Sequence, residues 1–166
     1  MSTRDLIATI ALSVLAVSAP ARAQQRDIIG PAEIVDGDTI VVNHTRIRLF
    51  GMDAPEFDQS CTDNDGKAYS CGHLAAVALN ELIGDSPVSC TPMDTDRYHR
   101  TVAVCKSADG NDLSDDMVRL GFAIDYHRYS HGRYEAAEKE AREGRRGLWA
   151  GRFDNPASLR HRPHSR

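Results

Sequence analysis

Thr45-Arg46-Ile47-Arg48-Leu49-Phe50-Gly51-Met52-Asp53-Ala54-Pro55-Glu56 decides how the chain is read. Ile47 and Leu49 fall on one face and Arg46, Arg48 and Phe50 on the other, which is the period of a half-buried strand. Gly51 then loosens the backbone, and Pro55 confines Ala54 to an extended conformation. The strand therefore runs into a stiff turn that sets Asp53 and Glu56 near the face carrying Arg48. A cation and two carboxylates share one rim. On this stretch alone, an edge strand with solvated charges explains the pattern equally well, because most surface charges are idle.

Toward the N-terminus, Glu33 to Val42 places β-branched residues on either side of Asp36-Gly37-Asp38, which reads as two strands around a turn or bulge. Asn43-His44-Thr45 is the next turn, so the first three strands form a meander. That tripeptide also matches the glycosylation sequon, a match frequent by chance. Gln24 to Pro31 has little pattern and is expected to be a loose lead-in. If the first and third strands lie side by side, the Asp36/Asp38 turn meets the Asp53/Glu56 turn. Carboxylates drawn together persist when a cation lies between them, and oxygen-only ligands select a hard ion such as Ca2+ or Mg2+. The commoner use of Asp-Gly-Asp is a plain turn.

Downstream, Phe57 to Gly72 is polar and reads as a long surface loop. Leu74, Ala75, Val77, Ala78, Leu82 and Ile83 recur at helical spacing, and Gly84 ends the helix. Pro87–Thr91 and Thr101–Lys106 read as the arms of a hairpin. Ser114 is the expected N-cap of a second helix, with Asp115 and Asp116 in its first turn, Leu113 stapled onto Val118 and Gly121 at its end. Tyr134, Ala137, Glu138, Ala141 and Arg145 mark a last helix running to about Gly144, packed down by Leu148 and Trp149. Residues 154–166 are rich in Pro, Ser, His and Arg, and are expected to form a frayed basic tail. The fold expected is α+β, a five-stranded oligonucleotide/oligosaccharide-binding barrel over residues 24–153 with three helices packed outside. A split βαβ sandwich is the alternative, disfavoured by the strand count.

Residues 1–23 have the parts of a secretory signal: Arg4, an apolar run from Leu6 to Ala19, and Ala21-Arg22-Ala23 as a small-x-small cleavage site. The run is too short to span a bilayer, which takes about 20 apolar residues. Export to the periplasm or the medium is therefore expected, with no stable membrane association afterwards. Losing Arg4, Arg22 and Asp5 would take the formal charge from −4 to −5. An acidic chain has no broad basic surface for gripping duplex DNA, so any contact with nucleic acid must be local.

In an exported chain, four cysteines point to two disulfides. Three pairings are possible. Cys90 and Cys105 are symmetric about the polar turn Asp94-Thr95-Asp96-Arg97-Tyr98-His99, so a hairpin sets them opposite one another and leaves Cys61 with Cys71. Zinc is the rival, but there is no Cys-x-x-Cys pair.

Arg48 and Arg100 offer fixed cationic forks that match phosphate oxygens. Glu56 can act as a general base if it holds a water near a metal. Together these suit a phosphodiester site, although either arginine alone is more often a surface salt-bridge partner.

Val35-Asp36-Gly37-Asp38-Thr39-Ile40, Ile47-Arg48-Leu49 through Asp53-Ala54-Pro55-Glu56, Asp96-Arg97-Tyr98-His99-Arg100 and Gly147-Leu148-Trp149 resemble, in order and spacing, the staphylococcal nuclease (thermonuclease) family. The resemblance runs from Glu33 to Trp149. It implies Ca2+-dependent hydrolysis of phosphodiester bonds in DNA and RNA by a monomer acting on single-stranded or unstructured substrate. By position it implies Arg48, Glu56 and Arg100 as catalytic residues, and Asp38, Asp53 and the main-chain carbonyl of Ala54 as calcium ligands. Arg97, Tyr98, Tyr126 and Tyr129 are candidates for substrate contact, the tyrosines by stacking on bases. His99 stands where the family usually has glycine, which raises the question of whether the turn before Arg100 is the same. The alternative function is an exported barrel that binds nucleic acid or polysaccharide without cutting it.

Overall fold

The computed structural model describes residues 26–159. The expected signal segment and the end of the basic tail lie outside them. Six strands form one curled mixed sheet: β1 (Ile28–Gly30), β2 (Ala32–Ile34), β3 (Thr39–Val42), β4 (Thr45–Leu49), β8 (Val88–Thr95) and β9 (Thr101–Lys106). Their order is β1-β8-β9-β4-β3-β2. The strands at the two ends, β1 and β2, are joined by Pro31 alone. One chain segment, bent where proline cannot donate to the ladder, thus supplies both edges of the sheet, and counting it once gives the five strands expected.

The lead-in was expected to be loose, yet Ile28–Gly30 pairs with β8, Ile28 opposite Cys90. Three residues carry no readable period, and the partner lies some sixty positions away, so this strand is fixed by tertiary pairing. Asn43 Nδ2 donates to the Ile29 carbonyl at 2.9 Å, tying the β3–β4 turn to that edge. The one sequon asparagine therefore has a structural use.

The meander β2-β3-β4 is antiparallel as expected. In β4, Ile47 and Leu49 are fully buried while Arg46 is exposed. They join Ile40, Val42, Met52, Leu79, Val88, Leu113, Met117 and Tyr134 in one core. The hairpin β8–β9 places Cys90 opposite Cys105, and both expected disulfides, Cys61–Cys71 and Cys90–Cys105, are formed. A bulge between Pro92 and Asp94 shifts the register by one residue and lets the hairpin close on its turn.

Three longer helices cover the sheet: α1 (Cys71–Ile83), α2 (Leu113–Arg119) and α4 (Glu135–Glu143). α1 starts three residues before the apolar period, inside the stretch read as loop, and ends at Gly84, whose φ is 61°. The rest of that stretch holds a small ribbon, β6 (Cys61–Thr62) with β7 (Ala68–Tyr69). The cap of α2 is Asp112 and not Ser114: the Asp112 carboxylate accepts from the Ser114 amide at 3.0 Å, leaving Ser114 buried in the first turn. Between α2 and α4, β5 (Met52–Asp53) pairs with β10 (Ile124–Asp125), followed by the single turn α3 (His127–Ser130). Gly147–Ala150 forms a 3-10 turn that buries Leu148 and lays Trp149 under Arg142, 4.2 Å from the guanidinium carbon. Pro156–Leu159 is a helical turn.

Candidate active site

Three structural devices converge on one open cleft of about 720 Å³ lined by Asp36, Asp38, Arg46, Arg48, Ala54, Pro55, Glu56, Asp58, Gln59, Tyr98 and Arg100. The first is the β3–β4 pair. Thr39 lies opposite Arg48, which brings Asp38 beside the Arg48 side chain. The second is the turn after β4. Gly37 packs so closely on Ala54 and on Ala75 of α1 that an added Cβ would lie 2.8 and 2.7 Å from their methyl carbons. The Asp36-Gly37-Asp38 turn thus meets the Asp53–Glu56 turn because residue 37 has no side chain. The third is a parallel pairing of β4 with β9, Ile47 opposite Thr101, which delivers Arg100 to the same rim.

Arg48 joins the first two. Its guanidinium donates to Asp38 at 2.5 Å and to Asp53 at 2.7 Å, and more weakly to the Met52 carbonyl at 3.3 Å. The carboxylates are buried, Asp53 completely. Asp38 and Asp53 thus converge with an arginine fork between them, although the first and third strands of the meander are not side by side: β3 lies between β2 and β4, and the two turns meet through the close contact of Gly37 with Ala54. Asp36 adds to the negative field: burial, then the charge of Asp38, pushes its carboxyl up from 3.8 to about 6.

Arg100 is held by Asp96. One Asp96 oxygen accepts from the amides of Tyr98 and Arg100, both at 2.9 Å, and the other accepts from Arg100 Nε at 2.7 Å. Burial works to raise the Asp96 carboxyl, but these hydrogen bonds and the Arg100 charge hold it below the ordinary range. Arg100 Nη1 donates to Thr39 Oγ1 at 3.2 Å, and that hydroxyl donates to Asp38 at 2.8 Å, so both arginines connect to one carboxylate. His99 takes φ 61°, the left-handed conformation a glycine would adopt. Histidine visits this region more readily than most non-glycine residues.

Of the substrate-contact candidates, Tyr98 is in the cleft wall, 61% exposed, with the guanidinium carbons of Arg97 and Arg100 at 4.8 and 5.7 Å from its ring centre. Arg97 itself is not among the lining residues. Tyr126 and Tyr129 pack on each other, ring centres 4.9 Å apart, and neither lines the cleft. Sequence reasoning missed Arg46, Asp96 and Gln59. Arg46 was legible from its alternation with Arg48, and Asp96 from its place in the turn four residues before Arg100, where its hydrogen bonds are local; Gln59 carries no sequence signal, since one of its two side-chain bonds goes to the Asp154 carbonyl far along the chain.

Asp38, Asp53 and the Ala54 main chain offer oxygen donors only, the set that suits a hard divalent cation. Among the described residues no group of three or more His, Cys, Asp or Glu side chains forms a metal cluster. Asp38 and Ala54 line the cleft, whereas Asp53 is fully buried and not among its lining residues, and both carboxylates are bonded to Arg48; an ion there would have to share these oxygens with the guanidinium, with main-chain or water oxygens completing its shell, and would not sit in a closed zinc cage.

The profile of the family described as "Staphylococcal nuclease homologue" matches residues 46–151. The succinoglycan biosynthesis protein ExoI of Rhizobium meliloti (strain 1021) is 34% identical over 160 residues, covering 96% of this chain and 82% of its own. The micrococcal nuclease of Shigella flexneri is 34% identical over 160 residues, covering 87% and 85%. An uncharacterized endonuclease of Escherichia coli is 32% identical over 122 residues, covering 70% and 73%. The profile match spans more than half of the chain and takes in the cleft from Arg46 to Arg100, so the chain belongs to the staphylococcal nuclease homologue family.

Proposed function

We propose that this protein is an exported, Ca2+-dependent nuclease that hydrolyses phosphodiester bonds of single-stranded or unstructured DNA and RNA. The observation that carries the reading is the joint presence of Arg48, Arg100, Glu56 and Asp38 in one cleft wall, in a chain of this family. Asp38, Asp53 and the Ala54 carbonyl would hold the ion, which when bound polarises a phosphoryl oxygen and lowers the pKa of water. Arg48 and Arg100 grip the phosphate and stabilise the charge that builds on its oxygens. Glu56 orients the attacking water and takes its proton. Tyr98 offers a face on which a neighbouring base stacks.

Two disulfides suit an oxidising compartment, and no described helix is long and apolar enough to cross a membrane. Residues 1–23 as signal and Gln24 as the mature start belong to the same proposal. Binding of polysaccharide without cleavage is the competing reading, favoured only by the name of the Rhizobium relative.

The test is cleavage of single-stranded DNA and RNA against Ca2+ concentration for three forms. Glu56→Gln should lower turnover by about 10² to 10⁴ with the calcium midpoint unchanged. Asp38→Ala should move the midpoint to higher Ca2+ and recover at saturation. If both variants shift the midpoint alike and recover, Glu56 is only a ligand. No cutting by the unaltered protein under any metal brings the binding module forward.

A further inference from the structure

Glu56 sits on a segment whose backbone is tied down on several sides, and one side chain makes two of the ties. Gln59 is 6% exposed and lines the cleft beside Glu56. Its Oε1 accepts from the Glu56 amide at 3.2 Å, while its Nε2 donates to the Asp154 carbonyl at 2.9 Å. In return the Gln59 amide donates to the Glu56 carbonyl at 2.8 Å. The two residues close a reciprocal ring. A buried carboxamide bonded at both ends is held in one rotamer and one flip.

The far ends of these ties are themselves rigid. The Gln59 carbonyl accepts from the amide of Gly72 in the first turn of α1 at 3.2 Å. An added Cβ on Gly72 would lie 1.8 Å from the Glu56 carbonyl oxygen, so the helix start abuts the backbone of Glu56. Cys71, one residue earlier, is in disulfide with Cys61, and its Sγ lies 3.4 Å from the Gln59 carbonyl oxygen. Asp154 follows Arg152, which exchanges two backbone hydrogen bonds with Thr62 at 2.8 and 2.9 Å. Gln59 therefore connects the segment of Glu56 to a disulfide-bonded helix start and to a paired C-terminal segment.

We propose that Gln59 is a positioning residue for the Glu56 carboxylate, clamping its segment between the start of α1 and the C-terminal segment at Asp154. The inference rests on the reading of Glu56 as the base. Misplacing a reacting group by about 1 Å can cost on the order of 10²-fold in rate. The arginines that grip the phosphate sit on β4 and the β8–β9 turn, and no hydrogen bond joins them to Gln59 among those described. Loss of the clamp should therefore act on turnover and spare substrate binding.

The experiment measures kcat and KM on a single-stranded oligonucleotide with Ca2+ for the unaltered protein, Gln59→Leu, Glu56→Gln and the double variant. Amide hydrogen exchange over residues 56–60 is followed on the same full-length proteins. Gln59→Leu keeps the volume and removes both side-chain bonds; kcat should fall about 10- to 100-fold, with KM within about threefold. Placed on Glu56→Gln it should cost no more than about a further twofold, because the group it positions no longer takes a proton. Exchange over residues 56–60 should quicken. Gln59→Glu, which keeps an acceptor toward the Glu56 amide, should recover part of kcat.

Losses that multiply in the double variant, or a change confined to KM, would overturn the proposal. A failure of the unaltered protein to cleave with any divalent ion would instead sink the nuclease reading, and unchanged exchange in Gln59→Leu would then show that no clamp exists.

Discussion

Arg48→Met is the substitution on which the account of the cleft is most exposed. The Arg48 side chain is 12% exposed and lies between Asp38 at 6% and Asp53 at 0%. Methionine keeps much of the apolar stem but leaves two buried carboxylates facing each other without the fork. Breaking a buried ion pair by removing one partner costs about 3–5 kcal/mol, because the remaining charge stays desolvated. In chelator the variant should lose that much unfolding free energy, a fall in Tm of roughly 10–20 °C for a domain of this size. A divalent ion supplies the same need as the guanidinium. At about 100 times its Kd it should restore about 2.7 kcal/mol, and it should narrow the gap to the unaltered protein, in which Arg48 competes for the same oxygens. Urea denaturation in chelator and in graded Ca2+ measures both quantities. A variant within about 1 kcal/mol of the parent in chelator, or a gap that Ca2+ leaves unchanged, would refute the reasoning.

Asp96→Asn should lower kcat/KM at least about tenfold, through both kcat and KM, since the carboxylate holds Arg100 by its Nε and its amide and Arg100 grips the phosphate. Its depressed pKa also fixes a sign: the stability Asp96 contributes is present above the ordinary aspartate value and lost as pH falls through its lower folded value, so the gap in denaturation midpoint between parent and variant should be full at pH 6 and shrink progressively as pH is lowered below the ordinary aspartate value. Arg46→Ala should leave turnover at saturating substrate nearly unchanged while reducing the slope of log affinity against log salt by about 0.7, the loss of one phosphate contact on a single strand. Titration of a fluorescent oligonucleotide at several salt concentrations reads that slope directly.

Alternation alone placed Ile47 and Leu49 in the core and Arg48 on the other face, since side-chain direction along a strand is set locally by the pleat. The helices over Leu74–Ile83 and Tyr134–Gly144 and the pairing of Cys90 with Cys105 were legible for the same reason: each depends on spacing within one segment or across one hairpin. Ser114 was misread as a cap because two polar residues stood in competing positions, and only the α2 geometry shows Asp112 taking the amide. β1 and the parallel pairing of β4 with β9 depend on partners far along the chain and leave no period behind. So do the bonds from Gln59 to Asp154 and from Arg100 to Thr39. The sequence by itself determined which residue types could serve a phosphodiester site and on which local elements they stand. Only the tertiary structure decided that Asp38, Arg48, Glu56 and Arg100 share one cleft, because that depends on the parallel pairing of β4 with β9 and on the fit of Gly37 against Ala54, contacts whose energy appears only when distant backbone is brought together.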